Sequence, residues 1–250
     1  MLNKLLMGIA LMTLIPNLAA YESLIAEIPE ASGISYSEIS DTLFVVNDEG
    51  AVYELSKQGK ILREKKVGDY DFEGIVVDDA NNLLLIAVEG QDDIFVLSKA
   101  DMTIQKEISI KRTFDGVKVL KKGADGLEGL ALYQNELYAS NQSNKRYPKS
   151  DASVIVVIDY DLSKTKQTIN RIIDHGFNDI AGLTFYKDTL VMVSDEDAML
   201  IQYDIKNNKT INKVKLSKKY AQEGIAFDNK GNLFIADDMG HVLKINRIVE

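Results

Sequence analysis

Gln222-Glu223-Gly224-Ile225-Ala226-Phe227-Asp228-Asn229-Lys230-Gly231-Asn232-Leu233-Phe234-Ile235 reads as two short apolar strands joined by a polar turn with glycine at its end. Its opening phrase, a small or acidic residue followed by Gly-Ile or Gly-Leu, recurs upstream. It stands at Ser32-Gly33-Ile34, Glu73-Gly74-Ile75, Glu128-Gly129-Leu130 and Ala181-Gly182-Leu183. The five glycines are spaced by 41, 55, 53 and 42 residues. That period belongs to four-stranded sheets set around an axis, the blades of a β-propeller, and not to helical repeats. Each phrase is expected to open one blade.

Working outward, residues 33–67, 74–110, 129–173 and 182–216 each divide into four alternating or continuously apolar strands with turn residues between them. In the third group the outermost strand is read as one piece, 167–173. The last group, 224–246, holds only three strands, and the strand it lacks is present near the other end of the chain at Ser23–Ile28. Pairing the two would close the ring and satisfy the backbone groups that an open sheet leaves bare. The expectation is an all-β, single-domain propeller over residues 21–250 with five four-stranded blades; six blades, with one degenerate repeat, is the alternative. Two insertions lengthen the period, 111–127 before the third blade and 142–152 inside it. They carry Lys111, Arg112, Lys118, Lys121, Lys122, Lys145, Arg146 and Lys149.

Composition narrows the function classes. Among 250 residues, 38 are acidic and 29 basic, a net charge of −9. Phosphate binding needs concentrated positive charge, so a nucleic-acid partner is not expected, whereas cations are attracted. The first twenty residues read as a signal peptide: Lys4, an apolar run from Leu5 to Ile15, then Leu18-Ala19-Ala20. The run is too short to span a bilayer, so cleavage and a periplasmic or secreted protein are expected, with an uncleaved anchor as the alternative. There is no cysteine. Disulfides, thiol catalysis and Cys-based metal sites are thereby excluded.

In a propeller the start of the innermost strand and the end of its neighbour lie at one mouth of the channel. Both places are acidic here. Glu73, Glu128 and Glu223 precede their glycines directly, and Glu30, Asp71 and Asp179 stand three residues before. Asp48 with Glu49, Glu89, Asn141, Asp195 with Glu196, and Asp237 with Asp238 follow their glycines by 12 to 16 residues. Both insertions belong at this mouth too. Crowded carboxylates raise one another's pKa unless a cation neutralises them. Oxygen donors without cysteine select a hard ion, and calcium tolerates loop carboxylates from several blades better than magnesium does. Glu73, Glu128, Glu223, Asp195 and Glu89 are the expected calcium ligands. Asp179, Asn141, Lys121, Lys145 and Arg146 are expected to meet a ligand. Against this, turns favour Asp, Asn and Glu beside glycine for purely local reasons. Neither His175 nor His241 belongs to a nucleophile–base arrangement, and no phosphate loop or zinc-type histidine pair is present. No catalytic residue is assigned.

The phrases Asp71-Phe72-Glu73-Gly74-Ile75, Leu127-Glu128-Gly129-Leu130-Ala131, Asp179-Ile180-Ala181-Gly182-Leu183 and the long stretch from Gln222 to Ile235 resemble the SdiA-regulated family of bacterial exported β-propellers. The likeness covers essentially Glu30 to Ile248. That family is itself similar to esterase-like propellers related to phytase and, more loosely, to calcium-dependent sugar-lactone hydrolases. The resemblance implies a periplasmic propeller and makes calcium at the mouth plausible; it implies no reaction. Asp237-Asp238 departs from the Ser-Glu of relatives, which puts Asp237 in doubt as a ligand. Three readings follow. The first is a calcium-binding propeller that recognises a small molecule or an envelope partner without chemistry, as a monomer. The second is a calcium-dependent hydrolase of phosphate esters or lactones, and the third an envelope scaffold.

Overall fold

The computed structural model describes residues 22–91, 93–121 and 126–246, all of them strands and connecting loops without a helix. The stretch expected to be a signal peptide, residues 1–20, and Lys122 lie outside the described residues. Five sheets are arranged as the repeat requires. The first blade is Ala31–Ser37, Thr42–Asn47, Ala51–Ser56 and Ile61–Lys66, and each later phrase opens an equivalent sheet, at Phe72–Asp78, Leu127–Tyr133, Ile180–Tyr186 and Gln222–Phe227. The fifth blade takes its outer strand from Glu22–Glu27, which pairs antiparallel with His241–Ile245. The ring is thus closed by strands from opposite ends of the chain.

Strand composition follows position in the blade. A second strand packs against neighbouring blades on both faces, so Thr42–Asn47 and Leu83–Val88 are almost wholly buried and read as unbroken apolar runs. The outer strand Ile61–Lys66 faces solvent and carries four charged residues in six. The core is correspondingly divided into five apolar clusters, one for each boundary between blades. Period-two alternation assigns them: Leu43 and Val45 pack towards the fifth blade, with Phe234, whereas Phe44 and Val46 pack towards the second, with Phe72 and Phe95.

The third blade corrects one expectation. Its outer strand is not a single piece over 167–173. Lys166–Gln167 crosses to the second blade and pairs parallel with Ser109 and Ile110, making that sheet five-stranded, and only Arg171–Ile173 completes the third. The connection is tied down on the second blade by Tyr160, whose hydroxyl donates to Asp78 Oδ2 at 2.6 Å, and by Lys106, which donates to the Leu162 carbonyl. Polar side chains hold this strap where the apolar pattern alone predicts a continuous strand.

Candidate metal centre

The recurring phrase does more than open a blade. In all five innermost strands the pairing register slips at the phrase itself, between Ala31 and Gly33, Phe72 and Ile75, Leu127 and Leu130, Ile180 and Gly182, and Gln222 and Gly224. Such a bulge re-aims a side chain. Here it governs the residue before the glycine: Ser32, Glu73, Glu128, Ala181 and Glu223. Glycine is needed because the blades converge at this level. A Cβ on Gly33 would strike the Glu73 carbonyl, one on Gly129 would lie 2.6 Å from the Ala181 carbonyl oxygen and 2.7 Å from Leu183 N, and the other three glycines repeat the contact around the ring. The girdle leaves a void of only about 10 Å³.

Just beyond it, carboxylate oxygens of Glu73, Glu128 and Glu223 all lie within 4.8 Å of one another. Glu73 and Glu128 are buried and Glu223 nearly so. A second group, Asp48, Asp71 and Glu73, satisfies the same distance and shares Glu73 with the first. Burial raises every one of these acids, and their mutual repulsion adds to it. Glu73 is driven well above the carboxylate range by desolvation and by the charges of Glu128, Asp48 and Glu223. Glu128 is raised likewise by desolvation and Glu89. Glu223 is pushed up to about 9, Asp71 to about 7 and Asp48 to about 6, desolvation being the largest cause for each. Asp71 also shares a hydrogen bond with Glu89, while its Oδ1 is buried with no hydrogen-bond partner.

The other residues singled out by sequence fall into two groups. Asp195 and Glu89 stand around the glutamate triad without joining it. Asp195 acts on Glu223 by its charge and is itself raised to about 6 by burial and Asp179, and Glu89 acts on Glu128 and Asp71. Asp48 and Asp71, which the expected ligand set leaves out, are the acids grouped with Glu73. Their signal was present: they occupy the positions after the second strand and three before the glycine. Asp179 Oδ2 accepts the Glu196 amide at 3.1 Å.

Asn141 ends its second strand as expected, but Gln142 holds the position equivalent to Asp48 and Glu89. Asp48, Glu89, Gln142 and Asp238 donate their amides to Glu30, Asp71, Gly126 and Ala221 respectively. Asn141 lies one residue earlier and is fully buried. Its Oδ1 accepts the Lys121 amide at 3.2 Å and its Nδ2 donates to the Ala152 carbonyl at 2.8 Å, so it ties the two insertions together. Asp237, at the same register position, is fully buried and accepts from the amides of Ala221 and Met239 and faces His241 Nδ1 at 2.6 Å. It is a loop anchor. The basic residues are also engaged. Arg146 donates to the Phe177 carbonyl, Lys145 lies 3.7 Å from Asp151, and Lys121 is not without a partner either. His175 is buried, its pKa lowered to about 4 by desolvation and Arg146.

Among solved structures, the chain is similar in fold to glutaminyl cyclase of Myxococcus xanthus, at 11% identity over 92% of this chain and 97% of that one, TM-score 0.66. It is similar also to a luciferin-regenerating enzyme, at 13% identity, covering 91% and 95%, TM-score 0.54. A chain of a nidogen/laminin complex shares the fold at 15% identity, covering 78% and 67%, TM-score 0.51. At such identities the likeness carries the architecture alone. No curated protein matches the chain. The sequence pattern of one family does, over residues 18–238, and with the five glycine bulges and the closed five-bladed ring in place the chain belongs to the SdiA-regulated family.

Proposed function

We propose that this is an exported propeller that binds calcium at Glu73, Glu128 and Glu223 and recognises a ligand or envelope partner at that mouth without chemistry. The observation that carries the reading is the triad itself. Three carboxylate oxygens that all lie within 4.8 Å of one another fit around a single ion whose oxygen ligands stand at about 2.3–2.6 Å. Left without a cation, the same groups must hold protons far outside their ordinary range, a costly arrangement that a divalent ion relieves. The orphaned Asp71 Oδ1 beside the triad fits a water bound to that ion. Bound calcium would supply a fixed positive centre at the mouth. Glu73, Glu128 and Glu223 would hold it, with Asp48 and Asp71 grouped beside Glu73.

The hydrolase reading needs a free anion clamp near the ion. Arg146 is committed to the Phe177 carbonyl and Lys145 lies beside Asp151, so the basic loops support the mouth's own structure. Binding without chemistry is the reading carried forward. Calorimetric titration of EDTA-stripped protein with calcium is the test, with melting temperature as the second readout. A single site with release of protons is expected, and saturating calcium at a hundred times Kd should add about 2.7 kcal/mol of stability. No heat and no thermal shift would end the metal assignment.

A further inference from the structure

On the far side of the glycine girdle the channel widens again into a cavity of about 460 Å³, within the range of small-molecule sites. The girdle's own void, about 10 Å³, is near the least that admits one water. The two mouths are therefore separate blind pits, and their chemistry differs. The floor of the second pit is a ring of five buried aliphatic residues, Ile34, Ile75, Leu130, Leu183 and Ile225, each following its glycine. Its walls are the innermost strands, every one of which ends its sheet and is paired on one side only. Alternate backbone N–H and C=O groups along those edges face the channel, and only some find a local partner, as Val77 N does in Ser35 Oγ at 3.1 Å.

Of the three carboxylates that line this mouth, Glu38 stands exposed on the rim, and Asp79 and Asp228 are already neutralised. Asp79 is paired with the buried Lys99 and accepts from Ser37 Oγ at 2.6 Å and from the Glu38 amide at 2.8 Å. Asp228 lies 3.5 Å from the buried Lys57, which also holds Asp41 at 2.5 Å. These internal pairs leave little field for a free ion, in contrast to the acid mouth. A wholly apolar guest fails for another reason: it would strip water from the edge N–H and C=O groups and replace nothing, which is costly for each group left unmet. Hydroxyl groups both donate and accept, matching alternating backbone partners. The half-buried side chains of Tyr36, Phe185 and Phe227 offer apolar surface to the C–H faces of such a molecule.

The geometry points to the second mouth as a binding site for an uncharged, hydroxyl-rich small molecule, a monosaccharide or polyol, independent of the acid mouth. Saturation-transfer NMR with glucose, galactose, mannose, xylose, myo-inositol and sucrose tests it on the intact chain, with and without EDTA. At least one of the six should receive saturation, equally in both conditions. Val77→Trp, which fills the pit, should weaken that binding by about tenfold or more. Should Val77→Trp fail to fold by circular dichroism, the double change Glu38→Ala and Asn229→Ala on the exposed rim takes its place with the same expected loss. No saturation of any of the six, saturation abolished by EDTA, or binding undiminished in the folded variant would overturn the assignment. The calcium titration is read separately, so failure at one mouth leaves the other standing.

Discussion

Carboxylate oxygens of Glu73 and Glu128, from the inner strands of adjacent blades, lie within 4.8 Å of one another. Desolvation and neighbouring negative charge raise both groups well above the ordinary carboxylate range, which favours a proton at this boundary in metal-free protein. The proposed calcium ion would have to displace it.

That exchange fixes a pH dependence. Without metal, the folded protein keeps protons on Glu73, Glu128 and Glu223 at pH values where the unfolded chain has lost them, up to about 9 for Glu223. The stabilising contribution is therefore full below the ordinary glutamate value and is lost as pH rises through the folded value. In EDTA the melting temperature should fall between pH 6 and 9. With calcium the decline should flatten, and calcium affinity should climb with pH as fewer protons compete. A melting temperature that rises steadily over that range in EDTA contradicts the assignment.

Glu128→Gln keeps the shape of a protonated carboxyl and removes one charge from a buried triad. Metal-free protein should be at least as stable as the wild type, because repulsion with Glu73 is relieved. Calcium affinity should drop by about tenfold or more with the loss of one charged ligand. Calorimetry and thermal melts together check both halves, and a variant that still binds at wild-type strength would remove Glu128 from the site.

Asp237 predicts the opposite pattern. Its carboxylate serves the Ala221 and Met239 amides and His241. Asp237→Ala should cost about 1–3 kcal/mol in urea denaturation by leaving buried donors unmet. The calcium-induced shift should survive in the fraction that folds. Loss of calcium binding at unchanged stability would make Asp237 a ligand after all.

Gly129 sits where the third and fourth blades nearly touch. Gly129→Ala places a methyl group against the backbone of Ala181 and Leu183, which cannot withdraw without opening the girdle. A loss of about 1–3 kcal/mol in chemical denaturation is expected, comparable with overpacking a core. At Gly90 the added methyl meets nothing within 4 Å, so any cost of Gly90→Ala comes from its positive φ of 74° alone. Equal costs at the two positions would show that close approach is not what the repeat glycines serve.

The number of blades, the closure by Glu22–Glu27 and the identity of the three glutamates were all legible in the chain, because period, alternation and a repeated phrase are local properties. The strap was not. Whether Lys166–Gln167 pairs with its own blade or the next depends on Tyr160 and Lys106 meeting groups far away in sequence. Asn141 ends its strand as the count from the glycine requires, but counting cannot see that it is buried there and that the position equivalent to Asp48 falls to Gln142. The second mouth escaped sequence reading altogether: its floor and walls are ordinary strand residues, and only ring closure turns five separate edges into one cavity. Sequence determined which side chains repeat and how often. The tertiary structure decided which of them meet, because a bulge at each glycine aims them towards a common axis that exists only once the first and last strands have paired.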